Sequence, residues 1–257
     1  MRLRRVTAAL AAGVGCVVAL AVPASAESPA AVRVCTTGDY PPYSVTDAGG
    51  YRGIDIDLTR GLADLLHRPI EFVPVTWTSM KSDFGALHCD IAAGGISDSA
   101  ARLEYSDFSL RYATDGKTPI VRAGDEDRYA TIDQINRPGV RVIVNRGGTN
   151  ETFARTNFPQ AQIIPWPDNL TIFGEIEQGR ADVFVTDSVE GRYRIRQHPT
   201  LRVLHPDRPF DSFGKVFLLR KNDPLLAAEV NGWLATELAT GQVDRLFADW
   251  IGPNATA

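Results

Sequence analysis

The chain has 257 residues with 27 Lys and Arg against 31 Asp and Glu, a formal net charge of −4, and no cluster of basic residues. That mild acidity argues against a nucleic-acid partner, and the length suits one large domain or two lobes of about 100 residues. Four histidines, His67, His88, His198 and His205, show no metal-ligand spacing, so nothing in the sequence asks for a metal.

At the N-terminus Arg2, Arg4 and Arg5 precede an apolar run, Val6 to Val22, closed by Ala24-Ser25-Ala26. This is the pattern of a Sec-type signal peptide over residues 1–26, with cleavage expected after Ala26. Cys16 lies inside the apolar run with no polar tether after it, which disfavours a lipid anchor. No later run approaches the ~20 residues of a membrane span. The expected mature protein is periplasmic or secreted, without a stable membrane anchor. It keeps Cys35 and Cys89, near the starts of two predicted strands. They form either a disulfide or a pair of buried thiols, and spacing does not choose between the two.

The mature chain alternates strand and helix, which predicts α/β architecture. Val32 to Thr36 reads as a strand, and two prolines in Gly38-Asp39-Tyr40-Pro41-Pro42-Tyr43 forbid a helix there. Leu58, Leu62, Leu65 and Leu66 mark one face of a helix. Ile70 to Val75 is a second strand, and Met80, Phe84 and Leu87 form the next helical stripe with Trp77 just before it. Asp90 to Ala93 is a third strand, leading into Gly94-Gly95-Ile96-Ser97, where backbone can approach a ligand. The pattern then restarts. Val140, Val142 and Val144 alternate as a strand, followed by Asn145-Arg146-Gly147-Gly148-Thr149-Asn150-Glu151 and a helix through Phe153. Glycines feeding a helix N-terminus are either an ordinary turn or a seat for a carboxylate. Ile172, Phe173 and Ile176 mark a helix stopped by Gly179. Leu201 to Leu204 and Lys215 to Leu219 are further strands, and Asp223-Pro224 opens a helix with the stripe Leu226, Val230, Trp233 and Leu234, ended by Gly241.

Between these lies the stretch that bears most on function. Val183-Phe184-Val185 is a short apolar strand ending in Thr186-Asp187-Ser188 and turning into a helix, Val189 to about Gln197. Ligands of open α/β sheets sit outside the carboxyl ends of strands, which places Asp187 and Glu190 where chemistry is done. The plainer alternative makes Asp187 a helix cap and Glu190 a favourable first-turn acid.

The order of motifs resembles a known family. Gly38-Asp39-Tyr40-Pro41-Pro42-Tyr43, Gly53-Ile54-Asp55-Ile56-Asp57, Asp90-Ile91-Ala92-Ala93-Gly94-Gly95-Ile96-Ser97 with Arg102, and Tyr105-Ser106-Asp107-Phe108-Ser109 resemble the periplasmic amino-acid-binding proteins of ABC importers. The resemblance spans the mature chain. It implies a two-lobed, type II periplasmic-binding-protein fold with the ligand cleft between lobes and two hinge crossovers. Lobe one would be residues 31–118 plus 213–252 and lobe two 119–212, with Arg102 forking onto a ligand carboxylate.

One branch is more similar still, the periplasmic cyclohexadienyl dehydratases, which act on prephenate or arogenate. That resemblance rests on Trp77, Asp115-Gly116-Lys117-Thr118-Pro119-Ile120, Asn145 with Gly147-Gly148-Thr149-Asn150-Glu151, Asp168-Asn169, Thr186-Asp187 with Glu190, His198-Pro199 and Pro209-Phe210-Asp211. Two places depart from the enzyme pattern: Arg146, where proline is common, and Phe213-Gly214 before Lys215. The resemblance implies Glu190 as general acid, Lys117 and Asn145 beside it in the catalytic site, and no cofactor. Asp39, Tyr40, Trp77, Gly95, Ser97, Arg102, Gly148, Thr149, Asn150 and Asp187 would hold the substrate. Trp77 and Lys117 have plainer alternatives, as a core aromatic and a solvated lysine. In amino-acid binders an aspartate at Asp187 meets the ligand ammonium, which arogenate has and prephenate lacks. The alternative function is a non-catalytic amino-acid or carboxylate receptor that delivers to an ABC permease.

Overall fold

The computed structural model describes residues 30–252, so the signal-peptide expectation lies outside the described residues. Two five-stranded mixed sheets make up the architecture. In the first the order is Ile70–Pro74, Val32–Thr36, Ile91–Ala92, Leu218–Leu219 and Asp107–Phe108. The first three run parallel and the last two join antiparallel. In the second the order is Gln162–Trp166, Arg141–Asn145, Val183–Asp187, Lys117–Arg122 and Leu201–Val203, again three parallel strands followed by antiparallel partners. The sheets are joined by two crossing strands, Ala113–Asp115 and Phe213–Lys215, paired antiparallel with Phe213 opposite Asp115 and Lys215 opposite Ala113. This is the expected two-lobed α/β fold with two crossovers.

Local sequence explains most of the elements. Val183, Phe184 and Val185 are all fully buried, as a central strand covered on both faces requires. Helix Pro224–Ala239 starts on Asp223, whose carboxylate accepts the Leu226 N–H at 3.1 Å, and its stripe of Leu226, Val230, Trp233 and Leu234 is buried. Gly241, at φ +69°, ends it and turns the chain into a further helix, Gln242–Ile251, that the sequence reading did not anticipate.

Several expectations need correction. Helix Ile54–Leu65 buries Ile54, Leu58 and Leu62, spaced i, i+4, i+8, while Leu65 lies on the solvent side. The run Lys215 to Leu219 is not one strand: Phe213–Lys215 pairs in the hinge and Leu218–Leu219 in the first sheet, because the chain leaves one partner for another between them. The helix after Asp187 ends at Arg194 rather than near Gln197. Cys35 and Cys89 form a disulfide, with Cα atoms 5.6 Å apart, inside an apolar cluster with Met80, Phe84 and Val216.

Candidate active site between the lobes

Strand Val183–Asp187 delivers Asp187 to the inter-lobe face, directly opposite Lys117 in the antiparallel register. The two form an ion pair of 2.5 Å, and Lys215, from the second hinge strand, pairs with the other carboxylate oxygen at 2.5 Å. Tyr40 donates its hydroxyl to that same oxygen. All four side chains are buried. Burial by itself would raise the Asp187 carboxyl, but the two ammonium groups outweigh it and hold Asp187 well below the usual carboxylate range. Asp187 therefore does not act as the helix cap it resembles in sequence: it occupies the N-cap position of Ser188–Arg194 and makes no capping bond.

Lys117 continues the network. Its ammonium donates to Thr149 Oγ1 at 3.0 Å and to Asn150 Oδ1. Asn150 Nδ2 donates to Thr186 Oγ1 at 2.9 Å, and Thr186 donates to Glu190 Oε2 at 2.5 Å. A hydrogen-bonded chain thus runs from the cation cluster to Glu190. Burial pushes the Glu190 carboxyl up to about 8, opposed by the Thr186 hydroxyl and Arg194 and reinforced by Asp187. A carboxyl in that state carries its proton at neutral pH.

An inner cavity with about 10 Å³ of free volume, room for about one water molecule, lies beside this cluster. Tyr40, Trp77, Gly95, Arg102 and Asp187 line one part of it. Asn145, Gly148, Thr149 and Asn150 line the rest. It adjoins an outer cleft of about 680 Å³ whose walls include Trp77, Ser97, Arg102, Lys117, Gly148 and Thr149. The sequence-selected residues are therefore gathered in one place, with two exceptions in detail. Glu190 does not line either space and stands behind Thr186. Asp39 also stands back: it accepts the Trp77 indole N–H at 3.0 Å, and its carbonyl accepts Asn169 Nδ2 from the other lobe at 2.9 Å.

The glycines at the cavity are set by their neighbours. The N–H groups of Gly94 and Gly95 are taken by Asp55 Oδ2, at 2.7 and 2.8 Å, and the Gly95 carbonyl accepts Lys215 at 2.8 Å. A side chain at Gly95 would run into Tyr40 and Tyr43, each 2.6 Å from an added Cβ. Gly148 is the N-cap of helix Thr149–Asn157, uncapped by any side chain, and an added Cβ there would lie 2.4 Å from Asn145 Nδ2. Asn145 Oδ1 is itself buried without a hydrogen-bond partner, a polar atom free to take a donor. Arg102 donates to the Ser97 carbonyl at 2.5 Å and lies 5.9 Å from the Trp77 ring centre. Trp77 is half-buried and packs edge-on to Tyr40.

Sequence reasoning names Asp115 within a motif and Lys215 at a strand start but gives neither a role in the site. Lys215 was legible only as a charge opening the apolar run Val216-Phe217-Leu218-Leu219, and its reach to Asp187 depends on the hinge pairing. Asp115 sits in the other hinge strand and accepts the Gly116 N–H and the Ser188 hydroxyl, at 2.8 and 2.7 Å, with the Val189 N–H at 3.4 Å. It does for helix Ser188–Arg194 what Asp187 does not.

The chain is 42% identical over 221 residues to a cyclohexadienyl dehydratase of Pseudomonas aeruginosa, covering 86% of this chain and 82% of that one. It is 25% identical, over 85% of this chain and 82% of the other, to the L-cystine-binding protein TcyJ of Escherichia coli. Among solved structures, an ancestral amino acid-binding protein, AncCDT-1, described as a precursor of cyclohexadienyl dehydratase, superposes with a TM-score of 0.80 at 35% identity, over 86% of this chain and 95% of that one. Among the described residues no helix is long and apolar enough to cross a membrane. The model of the bacterial extracellular solute-binding proteins, family 3, matches residues 32–253, and the chain belongs to that family.

Proposed function

We propose that this chain is an exported cyclohexadienyl dehydratase, converting prephenate to phenylpyruvate or arogenate to phenylalanine. The observation that carries the reading is Glu190: a fully buried carboxyl, held protonated at neutral pH, joined by Thr186 and Asn150 to a cluster of cations. The similarity to the Pseudomonas aeruginosa enzyme supports the same conclusion.

In the reaction the bond from the ring to its carboxylate breaks, releasing CO2, and the electron pair completes the aromatic ring. The opposite carbon–oxygen bond breaks with it. Hydroxide is a poor leaving group, so, once the bound substrate has opened the inner cavity past Thr186 to Glu190, the Glu190 proton passes to the departing oxygen, which leaves as water; solvent then reprotonates Glu190. Arg102 and Lys117 hold the substrate's carboxylates, with the open N-terminus of helix Thr149–Asn157 contributing N–H donors. Trp77 faces the ring, and Asn145 supplies the unpaired oxygen noted above. The ring-sized substrate enters by the outer cleft and displaces the side chains that close the inner one.

The test is to incubate purified protein with prephenate at neutral pH and follow phenylpyruvate. Product formation supports the enzyme. Absence of turnover on prephenate and arogenate, with tight binding of an ordinary amino acid, assigns the chain to the importer receptors instead.

A further inference from the structure

The Asp168-Asn169 motif has no part in the chemistry above, yet Asn169 is buried and reaches from one lobe to the other. Its Nδ2 donates to the Asp39 carbonyl at 2.9 Å. Asp39–Tyr40 is the edge strand of a small three-stranded sheet, paired on one side with Ser44–Asp47 and met on the other by this amide. Asp39 is also the residue that fixes Trp77: its Oδ1 accepts the indole N–H at 3.0 Å, and the ring stands edge-on to Tyr40. In its own lobe Asn169 opens a well-tied turn, Asn169–Thr171. Asp168 Oδ1 accepts the Leu170 N–H at 3.0 Å, the Trp166 indole donates to Thr171 Oγ1 at 2.9 Å, and Arg194 Nη2 donates to the Leu170 carbonyl at 2.7 Å. Arg194 lies one turn beyond Glu190 on helix Ser188–Arg194. The bond from Asn169 to Asp39 therefore completes a path from the aromatic wall of the cavity to the helix that carries the acid.

Resting on the dehydratase reading, we infer that Asn169 is a positioning residue: it holds the Asp39 peptide and, through the Asp39 carboxylate, keeps the Trp77 ring at a fixed place relative to Glu190. Asn169 lines neither the inner cavity nor the outer cleft, so it acts on the substrate only through others. The residue type follows from the geometry. The partner is a carbonyl, which only a donor satisfies, and a neutral amide supplies that donor without adding a charge near Asp39, Arg194 and Glu190. The indole N–H is the one hydrogen-bonding group of Trp77, so the Asp39 carboxylate is the only hydrogen-bonded hold on the ring's orientation. Whatever loosens the Asp39 peptide frees the ring.

The experiment measures kcat and KM for prephenate in the wild type, Asn169→Leu, Trp77→Phe and the double variant, with acrylamide quenching of tryptophan emission in the same four proteins. Leucine keeps the volume of the amide and removes its donor; phenylalanine keeps a ring and removes the indole N–H. Subtracting the emission of each protein lacking Trp77 from that of its counterpart isolates Trp77 from Trp166, Trp233 and Trp250. Asn169→Leu is expected to lower kcat about three- to tenfold, the size of one neutral hydrogen bond, with KM changed less than about twofold. The double variant should lie within about twofold of Trp77→Phe alone, because the contact through which Asn169 acts is already gone. Quenching of Trp77 should rise about twofold in Asn169→Leu as the ring loosens. An unchanged kcat in folded Asn169→Leu, losses that multiply in the double variant, or unchanged Trp77 quenching overturns the inference and leaves the dehydratase reading intact. Should the wild type turn over neither prephenate nor arogenate, the dehydratase reading fails, and the quenching alone decides the positioning; it also decides where Trp77→Phe is itself inactive. Should Asn169→Leu not fold, Asn169→Ala takes its place in each arm.

Discussion

Replacing Glu190 by Gln keeps the shape of the side chain and its bond to Thr186 but removes the acidic proton. A positioned general acid contributes ~10²–10⁴-fold, or ~3–5 kcal/mol of barrier, and kcat is expected to fall by that amount while binding persists. With the carboxyl at about 8, the wild type is roughly nine-tenths protonated at pH 7, so its kcat is flat through neutrality and declines tenfold per pH unit above about 8. The same proton has a consequence for stability. The folded-state value lies above the ordinary 4.5 of a glutamate, so the stabilisation it supplies is complete below about pH 4.5 and is lost as the pH rises through about 8. The shift corresponds to an upper bound on the order of 5 kcal/mol. Glu190→Gln does not titrate, so its stability relative to wild type should rise between pH 5 and pH 9 in urea unfolding, over the range that ends where wild-type activity declines. Near-normal turnover in the variant, or a stability difference between the two proteins that does not change between pH 5 and pH 9, would refute the assignment of a buried, protonated acid.

Thr186→Val removes the hydroxyl that favours the ionised form of Glu190, so the alkaline limb of the kcat profile should move to higher pH, with a stability loss of ~1–3 kcal/mol from the unpaired Asn150 amide; a limb moving downward counts against the hydrogen bond. Gly148→Ala places a methyl 2.4 Å from Asn145 Nδ2 and should cut kcat at least tenfold with little change in melting temperature, because the Gly148 backbone, at φ −90°, accepts alanine without strain. Replacing Cys35 and Cys89 together by alanine opens a closure of 54 residues, and chain entropy sets the cost at about 4 kcal/mol, measured by urea unfolding, while kcat/KM stays within about twofold.

How much of this was legible beforehand depends on the range over which each residue acts. Strand Val183–Asp187 and helix Pro224–Ala239 carry their own periodicity and caps, so apolar spacing alone places them. Helix Gln242–Ile251 is hidden in the sequence because Gly241, an ordinary helix stop, here turns the chain directly from one helix into the next. The candidate site followed from motif order: Arg102, Lys117, Asn145 and Asp187 are far apart in sequence, and no local pattern brings them together. Lys215 and Asp115 escaped for the opposite reason. Each lies in a hinge strand of three residues, too short for a periodic signal, and acquires its role only when those strands pair and face Asp187 and helix Ser188–Arg194.

The two acids Asp187 and Glu190, three residues apart, have been driven in opposite directions, and the hinge is what makes this possible. A helix N-terminus favours an ionised first-turn glutamate by about 0.3–1 kcal/mol, which works against a protonated Glu190. Asp115, reaching from the hinge to the Ser188 hydroxyl and the Val189 N–H, supplies an anion-side partner to that terminus, so Glu190 is not needed there. Lys117 and Lys215 keep Asp187 ionised, and its charge then adds to the burial that keeps Glu190 neutral. Asp187 is thereby an anchor for cations, while Glu190 keeps a proton and, on the dehydratase reading, is the group that can donate it. Separating a pair of carboxyls in this way is how one site performs proton donation and charge binding at the same pH. Lys117 pairs with Asp187 inside the second sheet, whereas Lys215 reaches it from a hinge strand while holding the Gly95 carbonyl and Ser97 of the first lobe, so Asp187 ties the two lobes together.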